Sequence, residues 1–167
     1  MINLGKASSK TDGKLIKFGP VDSDGNQLSL PEMTTRLIEY PALGFRAEYT
    51  FVFDGNRLKL DSMSLIEATK PEKITTYALT KLRIPEVMRD LVYSYNHFLG
   101  AKLDTLSLKD TTTLAQYYYA EFACDGSPRK VLMSYMNWSR SNANYHLKKF
   151  ANAGLIPAER LRYTESS

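Results

Sequence analysis

The sequence predicts an α+β protein: a small N-terminal antiparallel sheet with one or two helices, followed by a C-terminal domain of three helices. Three observations carry that expectation. Phe45, Ala47, Tyr49, Phe51 and Phe53 alternate with Arg46, Glu48, Thr50 and Val52, the period-two pattern of a strand with one buried face. Ala143, Leu147, Phe150 and Ala151 fall at intervals that place them on one face of a helix. Charge is also divided. Residues 1–128 carry 15 Lys and Arg against 16 Asp and Glu, whereas residues 129–167 carry 7 against 2, so the excess behind the net +4 lies in the final quarter.

Taken in order, residues 1–13 are Ser, Lys, Thr and Gly with little to bury and read as a flexible leader. Lys14–Phe18 is apolar enough for an edge strand. Gly19-Pro20 and Asp22–Asn26 are turn chemistry, and Gln27–Leu30 can return antiparallel. The Asp-rich turn lacks the distal Glu that a calcium loop needs. Thr34–Tyr40 reads as a further strand closed by Pro41. Asp54-Gly55-Asn56 makes a hairpin turn after the aromatic strand, and Arg57–Ile66 runs back with Leu58 and Leu60 on one face. An aromatic row at every second position is read as a core face rather than a base-stacking platform.

After the break at Lys70-Pro71-Glu72, Thr75 or Thr76 caps a short helix through Tyr77, Leu79 and Leu82 that ends at Pro85. Pro85 suits the first turn of a second helix to about Leu99, with Val87, Leu91, Tyr95 and Phe98 on one stripe and Gly100 as its stop. Residues 101–110 form a linker. Asp110–Thr113 caps a helix over Leu114–Cys124, with Ala115, Tyr118, Tyr119 and Phe122 at packing spacing. The expected division is a leader at 1–13, an α+β domain at 14–100, the linker, and a helical domain at 111–167. Whether the two halves share a core is left open by the sequence.

Composition narrows the function classes. No run approaches the ~18 apolar residues of a membrane helix, and the N-terminus lacks a signal pattern, so a cytoplasmic protein with no membrane partner is expected. The single cysteine, Cys124, reads as a buried thiol. Two isolated histidines, His97 and His146, with one cysteine do not make a zinc set. Gly-rich phosphate loops and nucleophile elbows are absent from the sequence. No catalytic residue, metal or cofactor is therefore expected. His97 reads as a surface residue; His146, within the basic helix, reads either as lying at the margin of a DNA contact or as partly in the core, with a structural role favoured because it has no ligand partners.

The stretch Arg129–Pro157 does carry a functional pattern. Ser127 and Pro128 form a cap and first-turn pair for a helix to about Met136, with Val131, Leu132, Met133, Tyr135 and Met136 as its apolar positions. Asn137 and Trp138 alone separate it from Ser139, the cap of the next helix, which ends at Gly154 with Pro157 beyond. Asn137 suits a left-handed residue in the turn, and Trp138 suits the apolar plug beneath it. The face of the second helix opposite its apolar stripe bears Arg140, Ser141, Asn142, Asn144, Tyr145, Lys148, Lys149 and Asn152, with no acid. A solvated helix face normally mixes both signs. The spacing and charge together suit a helix-turn-helix unit laid on double-stranded DNA.

The Tyr-rich helix, the short helix, the Trp-Ser-Arg-Ser turn at 138–141, Ala143 and the ending Ala151–Pro157 resemble a regulator-like helix-turn-helix family common in actinobacteria and their phages. The resemblance covers roughly Thr111–Pro157. Met133 departs from it, standing where that motif has a small residue. The resemblance implies a sequence-specific regulator of transcription. From the residues, Ser139, Arg140, Ser141, Asn142, Asn144 and Tyr145 are expected nearest the bases. Lys148, Lys149, Arg129 and Lys130 are expected on phosphates, and Arg160 and Arg162 in a basic tail or wing. The N-terminal domain would then serve homodimerisation or partner contact. The competing reading is a non-enzymatic interaction or scaffold module built on the same three helices.

Overall fold

The computed structural model describes residues 6–66, 75–102 and 110–158. Four strands, β1 (Ala7–Phe18), β2 (Leu28–Tyr40), β3 (Phe45–Phe53) and β4 (Leu58–Ile66), form an antiparallel sheet in sequential order. The helices α1 (Thr76–Thr80), α2 (Ile84–Tyr95), α3 (Phe98–Lys102), α4 (Thr111–Ala123), α5 (Pro128–Met136) and α6 (Arg140–Asn152) come after the sheet. The α+β class and the N-terminal antiparallel sheet are as the sequence predicts. Among the described residues no helix is long and apolar enough to cross a membrane.

The alternation in β3 is borne out: Phe45, Ala47, Tyr49, Phe51 and Phe53 are all buried and form the floor of the core. Tyr40 lies on the same face, where its hydroxyl and that of Tyr49 share a hydrogen bond of 2.7 Å. The Tyr40 hydroxyl also donates to the Leu82 carbonyl. This satisfies two buried phenols that would otherwise be costly to desolvate.

Several expectations are corrected. Strand β1 begins at Ala7, inside the stretch read as a flexible leader, because backbone pairing from Ala7↔Ile38 to Phe18↔Leu28 orders residues with little to bury. Gln27–Leu30 and Thr34–Tyr40 are not separate strands. They merge into β2 through Pro31, which lies beyond the last β2–β3 pair, Met33↔Val52, so no ladder bond to β3 is lost there. Leu60 does not share the burial of Leu58: both pair in continuous register with β3, opposite Phe51 and Phe53, but Leu60 stands next to the bulge at Asp61 and is 36% exposed against 3% for Leu58.

Thr75 caps α1, its hydroxyl accepting from the Ala78 amide, but the helix stops at Thr80, short of the expected Leu82. Pro85 lies in the first turn of α2 as expected. That helix breaks at Asn96 rather than running to Leu99, and the expected linker begins inside α3; residues 103–109 lie outside the described residues. The break has a physical cause. Asn96, fully buried, accepts from the Ser29 amide (2.8 Å) and donates to the Ser29 and Val92 carbonyls (3.0 and 2.8 Å). Its side chain thus continues the β2 ladder in place of a strand.

Helix α4 is the hub. Burial reaches Thr113, Leu114, Ala115, Gln116, Tyr117, Tyr118, Ala120, Glu121 and Ala123, so it is enclosed on nearly every side rather than amphipathic. The Gln116 amide donates to the Pro20 and Asn26 carbonyls in the β1–β2 connection (3.0 and 2.9 Å). Glu121, 1% exposed, pairs with Arg89 (2.9 Å) and accepts from the Tyr93 hydroxyl (2.6 Å), tying α4 to α2. Burial pushes its carboxyl above the usual range, while Tyr93 and Arg89 act the other way. The Arg57 guanidinium, on the β3–β4 hairpin, lies 4.4 Å from the Phe122 ring centre and 3.6 Å from Asp125. Sheet and helices consequently share one hydrophobic core running from Phe18 to Ile156. Cys124 belongs to it, and burial pushes its thiol up to about 12.

Replacing Asn96 with Ala leaves the Ser29 amide and carbonyl without their partner and is expected to cost about 2–4 kcal/mol in urea unfolding; a loss under about 0.5 kcal/mol contradicts the ladder role. The Asp54 carboxylate accepts from the Arg57 amide, pairs with Lys59 and accepts from the Asn56 amide, which hold its pKa down at about 2. Its contribution to stability is thus complete above the usual carboxylate value and disappears as pH falls through about 2. Thermal unfolding of Asp54→Asn should show a shallower loss between about pH 4 and pH 2 than the parent chain.

Candidate nucleic-acid interface

Helices α5 and α6 span the limits expected from their caps. Asn137 adopts the left-handed conformation (φ 52°, ψ 40°), and the next amide, Trp138, reaches back to the Met133 carbonyl at 3.0 Å. This closes α5 by the Schellman pattern and aims Trp138 inward, where it is 8% exposed. Ser139 then caps α6, its hydroxyl accepting from the Asn142 amide at 3.2 Å. At the far end Gly154 (φ 71°) places the Leu155 amide 2.9 Å from the Phe150 carbonyl. Ser127 and Asp110 occupy cap positions but make no side-chain capping bond.

The two faces of α6 separate as the spacing indicates. Ala143, Leu147 and Phe150 are buried, while Ser139, Arg140, Ser141, Asn142, Tyr145, Lys148, Lys149 and Asn152 are exposed, Tyr145 at 63%. Asn144 is half-buried. With about 100° between successive residues, Ser141, Tyr145 and Asn152 form the crest of the outer face. Arg140, Asn144 and Lys148 line one flank, and Asn142, His146 and Lys149 the other. Among the described residues, none of the ion pairs involves Lys130, Arg140, Lys148 or Lys149. The cationic groups of this surface are neither covered nor neutralised by described parts of the chain.

One expected contact is corrected. Arg129 is only 5% exposed and is not available to a phosphate. It stands three, four and seven residues before Leu132, Met133 and Met136, so it falls on the inward stripe of α5, a spacing already legible in the sequence. Lys130, one residue on, is exposed. Met133 and Met136 are half-buried against the core. Arg160 and Arg162 lie outside the described residues.

His146, expected either at the margin of a DNA contact or partly in the core, is half-buried. Its ring stacks on Trp138 with centroids 4.3 Å apart and planes 14° from parallel, meets Tyr145 nearly perpendicular at 5.2 Å, and lies 6.4 Å from Phe150. Its position one turn after Asn142 and three residues before Lys149 could have placed it on that flank. Burial, and secondarily the charge of Lys149, lower its pKa from the usual 6.5.

A groove of about 350 Å³ lined by Glu86, Arg89, Asp90, Tyr93 and Tyr135 separates α2 from α5. Its charges are already paired: Glu86 with Arg83, Arg89 with Glu121, and Asp90 with Arg36. Among the described residues no three His, Cys, Asp or Glu side chains gather as a metal site would require.

The turn makes a direct demand on residue 137. Asn137→Gly should fold with stability within about 0.5 kcal/mol of the parent. Asn137→Val, forced into a left-handed conformation, should lose about 1–2 kcal/mol by chemical denaturation. Equal stability of the two variants contradicts the assigned turn geometry. In comparisons with known proteins, no family model, curated protein or solved structure matches the chain.

Proposed function

We propose that the chain binds double-stranded DNA in a sequence-specific manner, with α5 and α6 acting as a helix-turn-helix and α6 entering the major groove. The observation that carries this reading is the outer face of α6: exposed, polar and basic, without an acid of its own or an ion pair among the described residues. Phosphate neutralisation with counterion release would supply the affinity, to which Lys148, Lys149 and Lys130 contribute. Discrimination would come from the first two turns of α6, which approach the bases most closely. There Arg140 suits the two acceptors of guanine, and Ser141, Asn142 and Tyr145 extend the contact. Asn144, half-buried, reaches outward on the same flank as Arg140, and its amide suits adenine. Ser139 takes up the Asn142 amide, so the Arg140 and Ser141 amides ahead of it would be the ones to meet a phosphate.

Regulation of transcription is the biological role this chemistry fits. One recognition helix covers few base pairs, so a homodimer held through the N-terminal sheet is the assembly that would make the reading selective. The alternative, a protein-interaction module, would use the same exposed face without the salt dependence of a polyanion contact.

A duplex-binding titration across salt separates the two. Affinity should fall steeply between ~50 and ~200 mM salt, and Lys148→Ala or Lys149→Ala should each make the log–log slope shallower by about one. Arg140→Ala should relax base preference at one position, worth ~1–3 kcal/mol of discrimination. No retention on duplex DNA at low salt favours the protein-interaction reading. A uniform loss for every sequence on Arg140→Ala removes that residue from base recognition.

A further inference from the structure

The α6 surface holds one titratable group that the proposed base and phosphate contacts do not use. His146 shares a flank with Asn142 and Lys149, and its half-buried ring lies flat against Trp138 at 4.3 Å. Among the described residues, the groups facing the ring are Tyr145, Lys149 and Phe150 from its own helix and Trp138 from the turn. Of these only Lys149 is charged, and no carboxylate balances it. In the free protein, burial, and secondarily that neighbouring ammonium, disfavour the charged imidazole and lower its pKa from the usual value.

We propose that His146 is a further DNA-contacting residue, one that takes up a proton from solvent as duplex DNA binds and then acts with Asn142 and Lys149 on one phosphate strand. This inference rests on the DNA-binding reading of the same surface. A phosphate brought to Lys149 cancels the smaller of the two effects that disfavour the imidazolium, the ammonium's repulsion, and adds an attraction that offsets the larger one, burial. Charging does not require the ring to leave its stack, because an indole face attracts a cation. Linkage makes the effect reciprocal: if bound DNA raises the affinity of His146 for a proton, the proton raises the affinity for DNA by the same factor.

The test is duplex affinity at constant salt between about pH 7.5 and pH 5.5, read by fluorescence anisotropy on the full chain and on His146→Phe, which keeps an aromatic ring against Trp138. The parent chain should tighten several-fold as pH falls, with a limiting slope of about tenfold per pH unit for one proton, and His146→Phe should be flat. Lys148→Ala, on the opposite flank, should bind more weakly at every pH yet keep the slope. His146→Gln, uncharged at every pH, supplies the second variant if the Phe ring disturbs the turn. Calorimetry at about pH 6.5 in two buffers of different ionisation enthalpy should show net proton uptake for the parent and none for either variant.

Equal slopes in the parent and both variants, or an affinity that weakens as pH falls, overturn the role of His146. Absence of duplex binding at every pH and salt overturns the DNA reading beneath it. Binding with a flat pH profile overturns only this inference.

Discussion

Three successive helices end in the same backbone closure, and the arrangement of the C-terminal half depends on it. Asp125, Asn137 and Gly154 each turn left-handed, with φ of 58°, 52° and 71°. In each case the next amide reaches back five residues: Gly126 to Glu121 at 2.8 Å, Trp138 to Met133 at 3.0 Å and Leu155 to Phe150 at 2.9 Å. The closure pairs carbonyls that a helix end leaves open and reverses the chain within one or two residues. It also fixes the residue placed just past each helix end. After α4 comes Gly126, where a Cβ would lie 2.4 Å from the buried Glu121 carboxylate. After α5 comes Trp138, and after α6 Leu155, which packs back on the core.

The outer face of α6 is exposed because its neighbours consume every apolar contact on the other side. Ala143, Leu147 and Phe150 join a core whose central member, α4, is bonded to the sheet connection through Gln116 and to α2 through Glu121. A shift of α4 would disturb the sheet and the outer face of α6 together. The clasp of Arg57 on Phe122 and Asp125 reinforces this coupling at the α4–α5 turn. Any assembly formed through the sheet would therefore transmit its geometry to α6 through packed side chains, with no loose tether among the described contacts.

Much of this was legible in the residues because local chemistry decided it. The alternation at 45–53 survives because one face of the strand meets the core and the other does not. The Ser139 cap, the Asn137 turn and the Gly154 stop depend on side-chain reach and backbone permissiveness within a few positions. Apart from Arg129, the failures were non-local. Burial of Asn96 answers an unpaired backbone 67 residues away, a need invisible in its own helix. Extension of β1 to Ala7 comes from pairing with β2, whose partner residues do the ordering. Helix α4 carries Gln116 and Glu121 at buried positions, so its pattern resembles an amphipathic helix until the partners of those two groups are known. Arg129 was misplaced by its charge, although its spacing put it inside; for a long side chain at a helix start, the stripe it shares with its neighbours decided the outcome.

The crest and flanks of α6 are the surface that meets a nucleic-acid duplex in this account, and amide chemical-shift mapping during titration with duplex DNA at low salt tests that claim directly. The largest perturbations are expected at Ser139–Lys149 and Lys130, with Leu28–Tyr40 of the sheet unaffected. Perturbations centred on Glu86–Tyr93 and Tyr135, or none at saturating duplex, would contradict it.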